Sequence, residues 1–253
     1  MPLLKTIRKK SINSGNLKKY LLYALGEIVL IVLGILIAWK INDLNEIRKN
    51  KIVELKIYNS LHEELDLNLE ILNEAISKNS ENLKRLEATL QYFGKDGSEI
   101  TPGARDTIVQ LNYQPVNLLD GALNSVINTT KFELIESDTL KSLITNYPSE
   151  LSSFRMIDEN INLIINNHVQ PKIEEYLSLT DILAKDNPKF ENIRNFAANS
   201  YYGELLKDKS YQNGIIDRYL KTEQLLTHAK KLRNRTQVMA LSLKEELDRS
   251  KDH

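Results

Sequence analysis

The chain reads as an all-α protein, an N-terminal transmembrane helix continuing into a long helix that packs in an extracytoplasmic helical bundle. Three observations predict this class. Tyr20 to Trp39, YLLYALGEIVLIVLGILIAW, is a twenty-residue apolar run broken by one charge, Glu27. Neither Gly nor Pro occurs between Gly34 and Gly94. No segment alternates apolar and polar residues as a half-buried strand would.

The apolar run is long enough to cross a bilayer, because about 20 residues rising 1.5 Å each match a hydrocarbon core of roughly 30 Å. A cleaved signal peptide has a shorter apolar region and a small-x-small site after it, whereas Ala38-Trp39-Lys40 follows here. A core helix of a soluble domain would carry a polar face, and this run has only Glu27. Tyr20, Tyr23 and Trp39 fall where amphipathic rings anchor at the headgroup level. Ile31, Gly34 and Ala38 share a stripe with Glu27, and the small-xxx-small pair Gly34/Ala38 suits close helix packing.

Lys5, Arg8, Lys9, Lys10, Lys18 and Lys19 precede the span with no acidic residue among them. Lys40, Arg48, Lys49 and Lys51 follow it. Six basic residues against four favour a cytoplasmic N-terminus. The expected organisation is a basic cytoplasmic tail at 1–19, a transmembrane helix at 20–39, and an extracytoplasmic bundle domain at 40–253 with a stalk at about 40–52. In a bacterium this describes a single-pass inner-membrane protein with its main domain in the periplasm.

Alternate steps of four and three from Glu27 pass through Ile31, Gly34, Ala38, Ile41, Asn45, Arg48, Ile52, Leu55, Tyr58, His62, Leu65, Leu69, Leu72, Ile76, Asn79, Leu83, Leu86, Leu90 and Phe93. One heptad frame therefore runs from the apolar span to the end of the predicted helix. Extra apolar residues at Ile57, Leu61, Leu67 and Ile71 widen the stripe beyond a two-stranded coiled-coil seam, which suits a bundle member.

GKDGSEITPG ends this helix with loop residues. Short helices are expected over Ala104–Asn112 and Asn117–Asn128, the latter capped by Asn117. Asp138 is the expected cap of a helix through Ile165 that Pro148 should kink or split. Pro171 opens or bends the next segment, KIEEYLSLTDIL. Residues 190–211 read as two short helices joined near Ser200. A last helix is expected from Ile215 to about Arg249, free of Gly and Pro, as antiparallel partner of the first.

Composition excludes several functions. A formal net charge of zero argues against nucleic-acid binding. Cysteine is absent, so thiolate nucleophiles, disulfides and cysteine metal sites are ruled out. No phosphate loop, GxSxG or HExxH motif occurs, and no catalytic, cofactor-binding or metal residue is assigned. His62 and Asp66 stand four apart on one helical face, but His62 lies in the apolar stripe and reads as a hydrogen-bonded core residue. The pairs Glu63-Glu64, Glu174-Glu175 and Glu245-Glu246 point about 100° apart on a helix and read as solvated faces. The cluster Lys230, Lys231, Arg233 and Arg235 reads as part of a mixed-charge surface.

The stretch KYLLYALGEIVLIVLGILIAWKINDLNEIRK, Lys19 to Lys49, resembles the N-terminal signature of an uncharacterised family of single-pass helical inner-membrane proteins common in Bacteroidota. Gly26-Glu27-Ile28, Gly34 to Ala38 and Asn45 to Lys49 carry the likeness, and Leu44 departs from the family's Trp. Ala122 to Leu151 is similar to that family's middle segment. The resemblance implies a membrane-anchored helical protein and no particular activity.

The expected function is a non-enzymatic, membrane-anchored periplasmic scaffold, sensor or interaction module without cofactors. Its partners are the lipid bilayer and a second copy or another membrane protein met through the transmembrane helix. The alternative is a proton-coupled auxiliary subunit of a membrane complex using Glu27, since intramembrane acids commonly line bundle interiors or transfer protons. Glu27 reads otherwise as packing glue, hydrogen-bonded across a helix pair or leaning toward Lys19.

Overall fold

A computed structural model describes residues 17–109, 113–183, 187–195 and 198–250. The basic tail up to residue 16 lies outside them. Every regular element among the described residues is helical, so the all-α class holds. The chain divides into two compact units, residues 1–55 and 56–253.

Helix α1, Leu17–Leu90, is 74 residues long. Within the first unit it contains an apolar stretch long enough to cross a membrane, none of it covered by protein. Tyr23, Ile31 and Trp39 are exposed, as are Gly34 and Ala38; the Tyr20 side chain lies outside the described residues. A Cβ added at Gly34 would meet nothing within 4 Å. Residues 44–50 are exposed throughout, and Lys40–Asp43 (3.2 Å) and Lys51–Glu54 (2.7 Å) are one-turn ion pairs within this unit.

In the second unit α1 buries Tyr58, Leu65, Leu72, Asn79 and Leu86, all members of the predicted frame. The second buried row lies one residue earlier than predicted. Leu61, Asn68, Ala75 and Thr89 are buried, while His62, Leu69, Ile76 and Leu90 are half-covered. The polar residues buried in the two rows make hydrogen bonds. Thr89 Oγ1 donates to the Arg85 carbonyl at 2.9 Å, Asn79 Nδ2 donates to the Ala75 carbonyl at 2.9 Å, and Asn68 pairs with Leu119.

Past Leu90 the chain tightens into i→i+3 hydrogen bonds and reverses at Gly94, whose φ of +77° is a left-handed conformation natural to glycine. Helix α2 spans Pro102–Val109, with Thr101 Oγ1 accepting from Ala104 N–H at 3.2 Å. It starts two residues before the predicted Ala104 because proline suits a first helical turn; residues 110–112 of the prediction are not described. Helix α3 covers only Gly121–Ile127, and residues 114–120, which include the predicted cap Asn117, form no helix.

Helix α4, Asp138–Ile164, is capped by Ser137 rather than Asp138, its hydroxyl accepting from Leu140 N–H at 3.4 Å. Pro148 sits inside this one helix without splitting it. A π-helical turn at Ile165–Val169 leads into α5, Gln170–Tyr176. Pro171 accounts for the widened turn: its ring crowds the carbonyl four residues back and it has no N–H to donate. The Gln170 N–H accordingly bonds back to the Ile165 carbonyl. The helix predicted through residue 183 stops at Tyr176, and Leu179–Ile182 is a 3₁₀ turn.

The short helices α6, Glu191–Asn195, and α7, Tyr202–Lys207, follow. Helix α8, Lys209–Arg249, begins before the predicted Ile215 because Asp208 caps it, accepting from Tyr211 N–H at 2.8 Å. It therefore contains a glycine, contrary to prediction. A Cβ at Gly214 would lie 3.2 Å from Val169 Cγ2 and 3.3 Å from His168 Cβ, so the missing side chain lets α8 approach the π turn. Helices α4 and α8 pack together, with Tyr147 and Thr236 sharing a buried 2.7 Å hydrogen bond between hydroxyls.

Candidate functional site

The segment between α2 and α3 is held on α1 and α4 by side chains rather than by strand pairing. Asp158 on α4 accepts from Val116 N–H at 3.0 Å and from the Tyr113 hydroxyl. Arg155, one turn away, donates to the Leu118 carbonyl and to Asp120, both at 2.7 Å. From α1, Asn68 pairs with Leu119, and Glu64 accepts from Ala122 N–H at 2.6 Å and Leu123 N–H at 3.1 Å. Glu64 thereby satisfies the free amides at the α3 N-terminus, where a negative charge is favoured. It is no member of a solvated face, as its pairing with Glu63 suggests from sequence.

This segment forms one wall of a cleft of about 750 Å³ whose other wall is α1. Such a volume accommodates a small organic molecule. Tyr113, Gln114 and Pro115 face Glu74, Lys78, Asn79, Glu81, Asn82 and Arg85 across it. The α1 charges are paired along the helix, Lys78 with Glu74 at 2.7 Å and Arg85 with Glu81 at 2.5 Å. Lys78 also reaches Gln114 Oε1 at 3.5 Å. The Asn79 side-chain oxygen is buried without a hydrogen-bond partner.

Asn82 and Arg85 also line a second, small cavity of about 10 Å³, bounded further by Thr89, Thr107, Ile215 and Arg218. That space admits about one water-sized group. Arg218, on α8, is only 3% exposed. Its Nε has no hydrogen-bond partner, and its guanidinium forms no ion pair among the described residues. Burial pulls its pKa down to about 10, opposed by the nearby Tyr211 and Tyr113 phenols, so it stays cationic at neutral pH. The Tyr211 hydroxyl, about two turns before Arg218 on the same face of α8, is likewise buried and unpartnered, and burial raises its pKa.

Tyr113 is held far above the ordinary phenol range, by burial first and then by its bond to Asp158. Burial likewise raises Asp158, against the donors Tyr113 and Val116. Both Asp158 oxygens are engaged, so this pair positions the cleft wall instead of offering a free base.

The residues singled out from sequence lie elsewhere. Glu27 and the stripe Ile31, Gly34 and Ala38 belong to the apolar stretch in the first unit. His62 is half-buried and paired with Asp66 at 3.1 Å. No group of three or more potential metal ligands occurs among the described residues. Arg218, Asp158, Asn68 and Glu64 escaped sequence reading. The available signal was a polar residue at an apolar register position, as at Arg218, which follows Tyr211 and Ile215 on the buried face of α8. Comparison with known proteins finds no matching family model, curated protein or solved structure.

Proposed function

We propose that this chain is a single-pass membrane protein whose helical domain lies outside the cytoplasm and serves as a sensor or interaction module without enzymatic chemistry of its own. Helix α1 carries this reading: one unbroken element supplies both the uncovered apolar stretch and the buried row Tyr58, Leu65, Leu72 and Leu86 of the bundle. The cleft beside that helix supplies a place for a small ligand, and the absence of cysteine, of recognised catalytic motifs and of net charge favours binding over chemistry. The likeness of Lys19–Lys49 to single-pass Bacteroidota proteins supports the same placement.

The chain's lack of cysteine makes the test clean. Ser152 is exposed on α4, and Ser11 belongs to the basic tail. With a membrane-impermeant maleimide on cells whose outer membrane is permeabilised, Ser152→Cys should label at once and Ser11→Cys only after lysis. Labelling in the opposite order, or recovery of the protein in the soluble fraction, would overturn the placement.

A further inference from the structure

The buried Arg218 guanidinium has no ion-pair partner among the described residues, and its Nε has no hydrogen-bond partner. Removing a charge from water without a partner is strongly destabilising, and a single water molecule leaves that charge uncompensated. Two carboxylates on the helices around the cleft are engaged elsewhere, Glu81 with Arg85 and Asp158 with Val116 and Tyr113. Two further buried polar atoms lack a partner, the Tyr211 hydroxyl on the same face of α8 and the Asn79 oxygen on the cleft wall. The π turn at Ile165–Val169 packs on Gly214, midway between Tyr211 and Arg218, and such turns recur at functional sites.

We propose that Arg218 anchors a carboxylate-binding site, in which a carboxylate oxygen fills the small cavity and the rest of a small organic ligand occupies the adjoining cleft. The inference rests on reading the domain as a binding module. A guanidinium matches a carboxylate in planarity and fork geometry. Asn82 and Arg85 line both spaces, so they form the partition past which the carboxylate is introduced. A halide ion needs no cleft of about 750 Å³ beside its site.

The test uses the full chain in detergent micelles and acetate as probe. Thermal unfolding followed by helical circular dichroism should shift upward by at least about 2 °C between 1 and 100 mM sodium acetate, relative to sodium chloride at equal ionic strength. Arg218→Met keeps the unbranched stem and removes the charge. It should unfold at a temperature independent of acetate. Saturation-transfer NMR from the wild-type protein to the acetate methyl group gives a second readout that needs no variant. Equal shifts in acetate and chloride, an acetate shift that survives in Arg218→Met, or absence of both shift and transfer would each overturn the proposal. Loss of the acetate effect with Ser152→Cys still labelled from outside removes the carboxylate but leaves the membrane module. Acetate binding with reversed labelling does the opposite.

Discussion

Asn68 and Leu119 exchange two hydrogen bonds, the side-chain amide donating to the Leu119 carbonyl and the Leu119 N–H donating to Asn68 Oδ1, each at 2.8 Å. One side chain thus does for an extended backbone what a neighbouring strand does in a sheet. Truncation at Asn68 would strand both a donor and an acceptor. Asn68→Ala should cost about 1–3 kcal/mol in denaturant unfolding. Asn68→Asp should also destabilise, since a carboxylate keeps the acceptor for Leu119 N–H but has no donor for its carbonyl. A measured change below about 0.5 kcal/mol for the alanine variant would show that water replaces the pair at no cost.

A second relationship is purely steric. A Cβ at Gly203, in α7, would come 2.6 Å from the Gly97 backbone nitrogen, whereas a Cβ at Gly97 would stand 3.8 Å from the Gly203 nitrogen. The contact is between backbones, so neither side has a flexible side chain to move aside. Gly203→Ala should destabilise by on the order of 1–3 kcal/mol, and Gly97→Ala should stay within about 0.5 kcal/mol of wild type. Equal melting temperatures for the two variants would sink this account of α7 docking.

Asp158 predicts a pH dependence of definite sign. Burial raises its carboxyl above the ordinary 3.8, outweighing the donors Tyr113 and Val116. A carboxyl raised in the folded state stabilises the fold most when protonated, so its contribution is complete below the ordinary value and is lost as pH rises through the folded value. Asp158→Asn removes that titration while keeping an oxygen to accept from Val116 N–H. Wild-type stability relative to Asp158→Asn should therefore increase as pH falls from 7 toward 4. Taking the difference cancels the titration of the other carboxylates. A difference that is flat or falls over this range contradicts the assignment.

How much of this was readable from sequence depends on what holds each element. The row Tyr58, Leu65, Leu72, Asn79 and Leu86 is set by period alone, and the prediction places it correctly. The companion row is not, because Asn68 and Thr89 enter it through hydrogen bonds that an apolar count ignores. The α3 boundary was misplaced for the same reason. Residues 114–120 carry apolar side chains at helical spacing, yet Asp158, Arg155 and Asn68 claim their backbone groups from 37 to 51 residues away. Caps were legible only in kind. Ser137 and Asp138 are equally good cap residues, and the register of the core decides between them. Arg218 is legible only as a basic residue in register with the buried Tyr211 and Ile215, a signal that an apolar count passes over.

The first unit offers a test that separates its own integrity from association. A Cβ at Gly34 meets nothing within 4 Å, and neighbouring Ile31 and Ala38 are exposed, so Gly34→Ile disturbs no contact within the chain. Any effect it has must come from another molecule. If the face Glu27, Ile31, Gly34 and Ala38 brings two helices together through close backbone approach, Ile41→Cys should crosslink between copies in membranes, and adding Gly34→Ile should abolish the crosslink. Glu27→Gln distinguishes the roles of the acid on that face. An amide still hydrogen-bonds across a helix pair but transfers no proton, so packing glue predicts crosslinking within about twofold of wild type and an unchanged cellular phenotype. Crosslinking that persists in Gly34→Ile refutes the shared face. A phenotype in Glu27→Gln with crosslinking intact would assign Glu27 to proton transfer instead.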